Sequence, residues 1–175
     1  MTSIHDYHQL LATLDAEIAR IHTRHSDRLA CKPRCASCCQ SFSILSIEAD
    51  CLRKAIGALP LITRDLLRRN LAADNDRCPL LIDELCSVYE ARPIICRTQG
   101  LPLAYVDEER EAIEVSACPL NFSDGYVFTP ENLLFMDAFN TRLSELNLAW
   151  CREHGLNPDK RIPLRELACA DHPDA

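Results

Sequence analysis

Four thiols lie within nine residues in the stretch Cys31-Lys32-Pro33-Arg34-Cys35-Ala36-Ser37-Cys38-Cys39, with the spacing C-x3-C-x2-C-C. Thiolates are soft ligands that select zinc, copper(I) or iron–sulfur clusters, and short loops between cysteines let the chain wrap one metal. Because adjacent side chains usually diverge, the Cys38–Cys39 doublet suits two neighbouring metals, or different atoms of one cluster. The stretch therefore predicts a metal–thiolate protein with more than one metal atom.

Length and composition indicate one globular domain over residues 1–175. The chain has 175 residues, of which 47% are hydrophobic, so it is long enough for one real core and too short for two full domains. Residues 2–28 are polar and charged with no apolar signal-peptide region, and no run of residues has the length of a membrane span. We therefore expect a cytoplasmic protein with no membrane partner, in a reducing compartment where clustered cysteines bind metal rather than form disulfides.

The charge of the chain argues against nucleic-acid binding. The net charge is −7, whereas nucleic-acid-binding proteins usually present a basic face. The expected partners are metal ions and, in one of the alternatives below, a protein.

Periodicity predicts a mainly α fold with one small β-hairpin. Apolar residues step by three and four along residues 3–28, and further helices are expected over residues 47–58, 64–73 and 129–155. The first helix carries His5, His8, His22 and His25, which are interpreted as solvated side chains on its polar face. The hairpin is predicted from residues 101–106 and 112–116 around a charged tip. Helices 1–28 and 129–155 would flank a cysteine-rich core at residues 28–120, giving a single metal-stapled domain.

A second group of cysteines follows the first along the chain. It starts at Cys78-Pro79, includes a polar Asp83-Glu84 turn, and ends at Cys118-Pro119. Pro93 suits the first position of a short helix. Three other cysteines have no cysteine neighbour at ligand spacing and are taken as structural or unbound: Cys51, Cys151 and Cys169. The predicted metal ligands are then Cys31, Cys35, Cys38, Cys39, Cys78, Cys86, Cys96 and Cys118.

Eight thiolates suit two closed four-cysteine sites or one polynuclear cluster. The alternative, a set of buried cysteines with no metal, is disfavoured because four of the eight lie within nine residues. Three side chains near the second group are candidates to offset thiolate charge or donate hydrogen bonds to sulfur: Tyr89, Arg92 and Arg97. Arg92 has the equally weighted alternative of a surface ion pair with Glu90.

The cysteine blocks resemble those of the YkgJ-like cysteine-cluster family of zinc- or iron-chelating proteins. The resemblance covers residues 28–120 and rests on the Cys31–Cys39 loop, Cys78-Pro79-Leu80-Leu81, and the run from Cys86-Ser87-Val88-Tyr89 through Arg92-Pro93 to Cys96-Arg97. Two departures are a first gap of three residues in place of two, and Ala36 where the family has Gly. The resemblance implies metal chelation and no particular reaction.

Two functions remain open on the sequence alone. One is an iron or iron–sulfur protein with a redox or modifying-enzyme role, and the other is a zinc-stabilised structural or adaptor protein that binds a protein partner. Zinc and iron both accept four cysteines in a tetrahedral array, so the ligands do not decide between them. Whether the chain is an enzyme is left open, because no pair of acids, histidines or nucleophiles marks a catalytic centre.

Overall fold

The computed structural model describes residues 3–71, 76–122 and 125–169. The helices are α1 (Ser3–Arg24), α2 (Ser46–Gly57), α3 (Leu61–Asn70), α4 (Ile94–Thr98), α5 (Asp137–His154) and α6 (Leu164–Cys169). The strands are short: β1 (Ser43–Ile44), β2 (Leu81–Ile82), β3 (Leu85–Cys86), β4 (Leu103–Asp107), β5 (Ala112–Ser116), β6 (Leu134–Phe135) and β7 (Ile162–Pro163). The prediction of a mainly α fold with small β elements is confirmed, and stapling by metal stays a prediction. Within the described ranges, no helix is both long and apolar enough to cross a bilayer.

The chain divides into two compact units. The first unit consists of Met1–Cys31 and Arg97–Leu146, and the second of Lys32–Cys96 and Asn147–Ala175. Whether they act as one domain stays a prediction.

In the first unit, α1 buries the apolar stripe that its periodicity predicts. Tyr7, Leu14 and Ile21 are at most 1% exposed. The predicted hairpin is present as β4 and β5, which pair from Leu103↔Ser116 to Asp107↔Ala112. Strand β6 then pairs parallel to β4, giving the strand order β5-β4-β6.

The predicted helix over residues 129–155 starts later than expected. Thr129 does begin a capping box with Asn132, but the turn that follows is a three-residue 3-10 helix. The chain next extends into β6, because Leu134 N–H donates to the carbonyl of Pro102, just before β4, and Met136 N–H donates to that of Ala104 in β4. The α-helix begins only at Asp137, so pairing with β4 has overridden a strong local helix-start signal.

The second unit has its own hydrophobic core between α2, α3 and α6. Ile44, Leu52, Leu67, Leu164 and Leu167 are at most 1% exposed and belong to one cluster. Helix α3 begins at Leu61, after Pro60, rather than at residue 64 as predicted, and the predicted end at residues 72–73 lies outside the described residues.

Two small sheets in the second unit were not predicted. Strands β1 and β7 pair in the register Ser43↔Pro163. Strands β2 and β3 form a two-residue hairpin through the predicted Asp83-Glu84 turn, where both residues have positive φ, 50° and 64°. That conformation matches the turn type that joins tightly paired strands. The hairpin matters for the site, because β3 ends on Cys86.

Candidate metal centre

Main-chain pairing brings several of the predicted ligands of the second unit together. The N–H of Cys78 donates to the carbonyl of Cys39 at 3.0 Å, next to an isolated bridge between Gln40 and Arg77. Downstream, β2–β3 pairing places Cys86 opposite Leu81. The backbone thus places Cys78 beside the cysteine loop and folds Cys86 back toward the start of β2.

The cysteine loop consists of two successive turns. Cys35 N–H donates to Lys32 O at 2.9 Å, and Cys39 N–H donates to Ala36 O at 3.0 Å. Within this loop Arg34 has a left-handed backbone conformation, with φ 73°, whereas the φ of Ala36 is not positive. An alanine therefore fits where the resembled family has glycine, because the turn places its left-handed residue elsewhere.

A buried carboxylate anchors the helix that carries Cys96. Glu48 is 4% exposed, and its two oxygens accept the N–H groups of Leu45, at 3.1 Å, and Ile94, at 3.0 Å. Burial raises the pKa of Glu48 although these two hydrogen bonds lower it. Cys96 N–H donates to Pro93 O at 3.0 Å, so the predicted short helix after Pro93 is confirmed.

Four thiols of the second unit influence one another electrostatically. Burial raises the pKa of Cys78 to about 11 and also raises that of Cys86. Burial, followed by repulsion from Cys78 and Cys86, raises the pKa of Cys96 to about 12. Those three thiols also act to raise the pKa of Cys39. Sulfurs that repel one another as anions lie near one another, and a cation bound among them would relieve that repulsion.

The hydrogen bond between the adjacent Cys38 and Cys39 shifts their pKa values in opposite directions. The Cys38 thiol donates a hydrogen bond to Cys39, which raises the pKa of Cys38 and lowers that of Cys39. Of the two, Cys39 is the one whose pKa is lowered, and thiolate is the form that binds metal.

We expect the metal-free protein to lose stability as pH rises from about 9 to 12. The folded pKa values of Cys78 and Cys96, about 11 and about 12, exceed the ordinary thiol value of 9.0, so the folded state holds these protons more tightly than the unfolded state. The stability this contributes is complete below pH 9.0 and is lost as pH passes through the folded values. Urea unfolding of the reduced chain at several pH values tests this, with Cys96→Ala as the comparison. Equal pH dependence in the two proteins would contradict it.

Arg92 supplies positive charge to the same group of thiols. Its guanidinium lies 3.5 Å from the centre of the Tyr89 ring, and it donates to the carbonyls of Tyr89, at 3.0 Å, and Cys96, at 3.4 Å. Its charge acts to lower the pKa values of Cys38, Cys86 and Cys96. The geometry therefore supports the predicted charge-offsetting role of Arg92, with Tyr89 holding its side chain in place.

Replacing Arg92 with lysine should weaken metal binding about 10-fold, although the charge is retained. Lysine lacks the planar guanidinium group, which in Arg92 stacks on the Tyr89 ring and donates to two carbonyls through two different nitrogens. Competition with a coloured chelator measures the affinity. Arg68→Lys is the matched control, because Arg68 pairs with Asp65 along α3. Affinities that change equally in both variants would argue against a specific role for Arg92.

Arg97, the third predicted charge partner, has a different environment. Both carboxylate oxygens of Asp15 lie 2.9 Å from its Nη1, and the Arg97 side chain is 8% exposed. This ion pair ties Arg97 to α1 within the first unit, so the charge of Arg97 is already matched by a carboxylate.

The first unit holds the other two predicted ligands, Cys31 and Cys118. Asn121 contacts both: its Nδ2 lies 3.3 Å from Cys31 Sγ, and its N–H donates to Cys118 O at 3.0 Å. Gly100 also approaches Cys31, because a Cβ built on Gly100 would lie 3.0 Å from Cys31 Sγ. Sequence reasoning missed Asn121, since nothing in its local pattern signals contacts with residues 21 and 90 positions away.

The three cysteines set aside from the predicted ligands differ in their surroundings. Burial raises the pKa of Cys51 on α2 to about 11, Cys151 is fully buried, and Cys169 is exposed. Cys151 lies 3.8 Å from the side-chain oxygen of Asn147.

His25 was expected to be solvated and is instead 1% exposed. Its Nε2 lies 2.9 Å from Asn132 O and its Nδ1 lies 3.3 Å from the Tyr126 hydroxyl, with the Phe122 ring packed edge-on. The sequence did carry a signal, because His25 follows Ile21 by four residues and so continues the apolar stripe of α1.

The donor chemistry of the second unit fits a thiolate-bound metal. Six of the predicted ligands lie in this unit: Cys35, Cys38, Cys39, Cys78, Cys86 and Cys96. Four of the six interact electrostatically, and the hydrogen bond from Cys38 lowers the pKa of Cys39. Across residues 3–71, 76–122 and 125–169, no three Cys, His, Asp or Glu side chains are already arranged as a metal donor set. Metal binding would therefore move the cysteine sulfurs closer together as they lose their protons and coordinate the metal.

An open cavity of about 390 Å³ lies against the cysteine loop. Its lining includes Cys35 and Cys39 together with two arginines, Arg34 and Arg77. Arg77 is paired with Glu84, and Arg34 donates to Asp83 O at 3.2 Å, so both cations are tied to the β2–β3 turn. The cavity gives solvent and small molecules access to one side of the loop.

Comparison with known families gave one match. A model named CxxCxxCC, described as "Putative zinc- or iron-chelating domain", matches residues 30–119, which is more than half of the 175-residue chain. The match includes all eight predicted ligands. The search among curated proteins found no match, and neither did the search among solved structures.

Proposed function

The chain belongs to the CxxCxxCC family, and on that premise we propose that it binds zinc or iron through its clustered cysteine thiolates. The observation that carries the proposal is the electrostatic coupling of Cys39, Cys78, Cys86 and Cys96. Half-buried thiols that lie close enough to repel one another as anions are poorly placed as a purely structural cluster and well placed as ligands. A cation removes both the protons and the repulsion.

Each of the two units contains predicted metal ligands. In the second unit they are the four coupled thiols, with Cys35 and Cys38 beside them in the same loop. In the first unit they are Cys31 and Cys118. A bound metal supplies charge neutralisation and, if it is iron, a centre that changes oxidation state. The protein contributes the Arg92 charge, the Glu48 anchor of α4 and the hairpin that positions Cys86.

A redox or modifying-enzyme role for an iron–sulfur cluster is the first functional candidate. It is favoured by the cavity of about 390 Å³, because a purely structural site has no need of an open side next to two ligand thiols. We assign no substrate to the cavity.

A zinc-stabilised structural or adaptor role is the second candidate. It is favoured by apolar side chains on α3 that face solvent: Leu61 is 66% exposed, Ile62 74% and Leu66 39%. Large exposed aliphatic side chains grouped on one helix are typical of surfaces that contact another protein.

Metal titration tests the proposed function. The reduced, metal-free chain is titrated anaerobically with Zn²⁺ and, separately, with Fe²⁺, while remaining thiols are counted with a thiol reagent. We expect saturable binding with about four thiols protected per zinc. Absence of saturable binding for both metals would overturn the proposal.

A further inference from the structure

Asn121 lies at a point where three segments of the first unit meet. It is 5% exposed and follows Cys118 by one turn, with its N–H donating to the Cys118 carbonyl at 3.0 Å. Its side-chain oxygen accepts the N–H of Ala30 at 3.0 Å, and its side-chain nitrogen donates to Gly100 O at 2.5 Å. A single buried amide therefore links the residue before Cys31, the turn after α4 and the turn that carries Cys118.

These partners fix which end of the amide faces Cys31. The side-chain oxygen of Asn121 must face the Ala30 N–H, because only that oxygen can accept a hydrogen bond. The NH₂ group must face the Gly100 carbonyl, because only that group can donate one. Nδ2 lies 3.3 Å from Cys31 Sγ, closer than Oδ1 at 3.6 Å. A metal-bound sulfur carries no proton and can only accept, so the Nδ2–H···S contact suits a coordinated Cys31.

Gly100 provides the opposite wall of the space around the Cys31 sulfur. It has φ +89°, which side-chain-bearing residues rarely adopt, and an added Cβ would lie 3.0 Å from Cys31 Sγ. The added Cβ would also lie 3.4 Å from Asn121 Nδ2. The absence of a side chain at residue 100 therefore allows the sulfur and the amide to approach the backbone.

We propose that Asn121 is a positioning residue that orients the Cys31 sulfur as a metal ligand through its Nδ2–H. The inference rests on the proposed function and adds to it a named residue outside the cysteines. It also accounts for the three-residue gap between Cys31 and Cys35, because Cys31 is held by contacts within the first unit rather than by the spacing of the loop.

The test replaces Asn121 with aspartate, which keeps the oxygen that accepts from Ala30 and removes the NH₂ group. Asn147→Asp is the matched control. Asn147 is 2% exposed, accepts Ile47 N–H, donates to Pro158 O and lies near the thiol of Cys151, which is not a proposed ligand. Each protein is loaded with Co²⁺ as a spectroscopic probe, and the thiolate-to-cobalt charge-transfer band and the Co²⁺ affinity are measured.

We expect Asn121→Asp to shift the charge-transfer band and to weaken Co²⁺ binding about 10-fold, with no band shift in Asn147→Asp. In a Cys31→Ser background the Asn121 substitution should have no further effect, because its action passes through that sulfur. The inference would be overturned if Asn121→Asp and Asn147→Asp changed the charge-transfer band and the Co²⁺ affinity equally. It would also be overturned if Asn121→Asp had its full effect in the Cys31→Ser background. Failure of the wild-type chain to bind Co²⁺, Zn²⁺ or Fe²⁺ would instead overturn the proposed function.

A second measurement uses the unmodified chain and so does not depend on the variants folding. Cys31 and Cys169 are both exposed, so their alkylation rates can be compared by mass spectrometry with and without Zn²⁺. We expect Zn²⁺ to protect Cys31 and to leave Cys169 reactive. A chain that binds Zn²⁺ while Cys31 remains as reactive as Cys169 would overturn the inference and leave the proposed function standing.

Discussion

Removing the metal is expected to lower the thermal midpoint of this protein by roughly 10 °C. A ligand present at 1,000 times its dissociation constant stabilises the folded state by about 4 kcal/mol, and each kcal/mol shifts the midpoint of a chain this long by about 2–4 °C. The physical reason is that the thiols are assembled only in the folded chain, where burial raises the pKa values of Cys78, Cys86 and Cys96 and repulsion from neighbouring thiols further raises those of Cys78 and Cys96.

The measurement is a thermal melt of the reduced protein before and after treatment with a chelator, followed by a third melt after zinc is restored. Recovery of the original midpoint shows that the loss is due to metal rather than to damage. An unchanged melt after complete metal removal would argue against any contribution of metal to the fold.

Replacing Cys39 with serine is expected to remove about one metal per chain, because serine is a poor ligand for the soft metals that thiolates select. Cys38→Ser should also lower the metal content, but by less. The hydrogen bond that the Cys38 thiol donates to Cys39 lowers the pKa of Cys39 and raises that of Cys38, so Cys39 loses its proton to a metal more readily.

Cys169→Ser is the matched control for both substitutions. Cys169 is exposed at the end of α6 and lies outside the proposed ligands. Metal content is measured on proteins purified side by side. Equal metal content in all three variants would contradict the assignment of the cysteine loop as a metal site.

Local signals predicted the elements that depend on neighbouring residues. The stripe of α1, the hairpin β4–β5 and the short helix after Pro93 all follow from periodicity or from a proline at a helix start. The late start of α5 could not be predicted in this way. Residues after Thr129 carry a valid helix cap, and only the distant strand β4 draws them into β6.

In the candidate site too, neighbouring residues predicted some features, whereas others depend on residues far apart in the chain. Cysteine spacing identified a loop whose thiols do interact, and the Tyr89 to Arg92 run indicated the charge that lies near them. Other features depend on contacts far apart in the chain. The buried Glu48 reaches Ile94, and Asn121 reaches Cys31 and Gly100, and no local pattern records either contact.

The measurement that tests the central claim most directly is elemental analysis, with an absorption spectrum, of the protein purified without oxygen. The account predicts stoichiometric zinc or iron bound by thiolate. Acid-labile sulfide with sulfide-to-iron bands would favour the iron–sulfur candidate, and a colourless protein with about two zinc ions per chain, one per four thiolates, would favour the adaptor candidate. A folded protein that carries far less than one metal per chain, with its cysteines open to alkylation, would contradict the account.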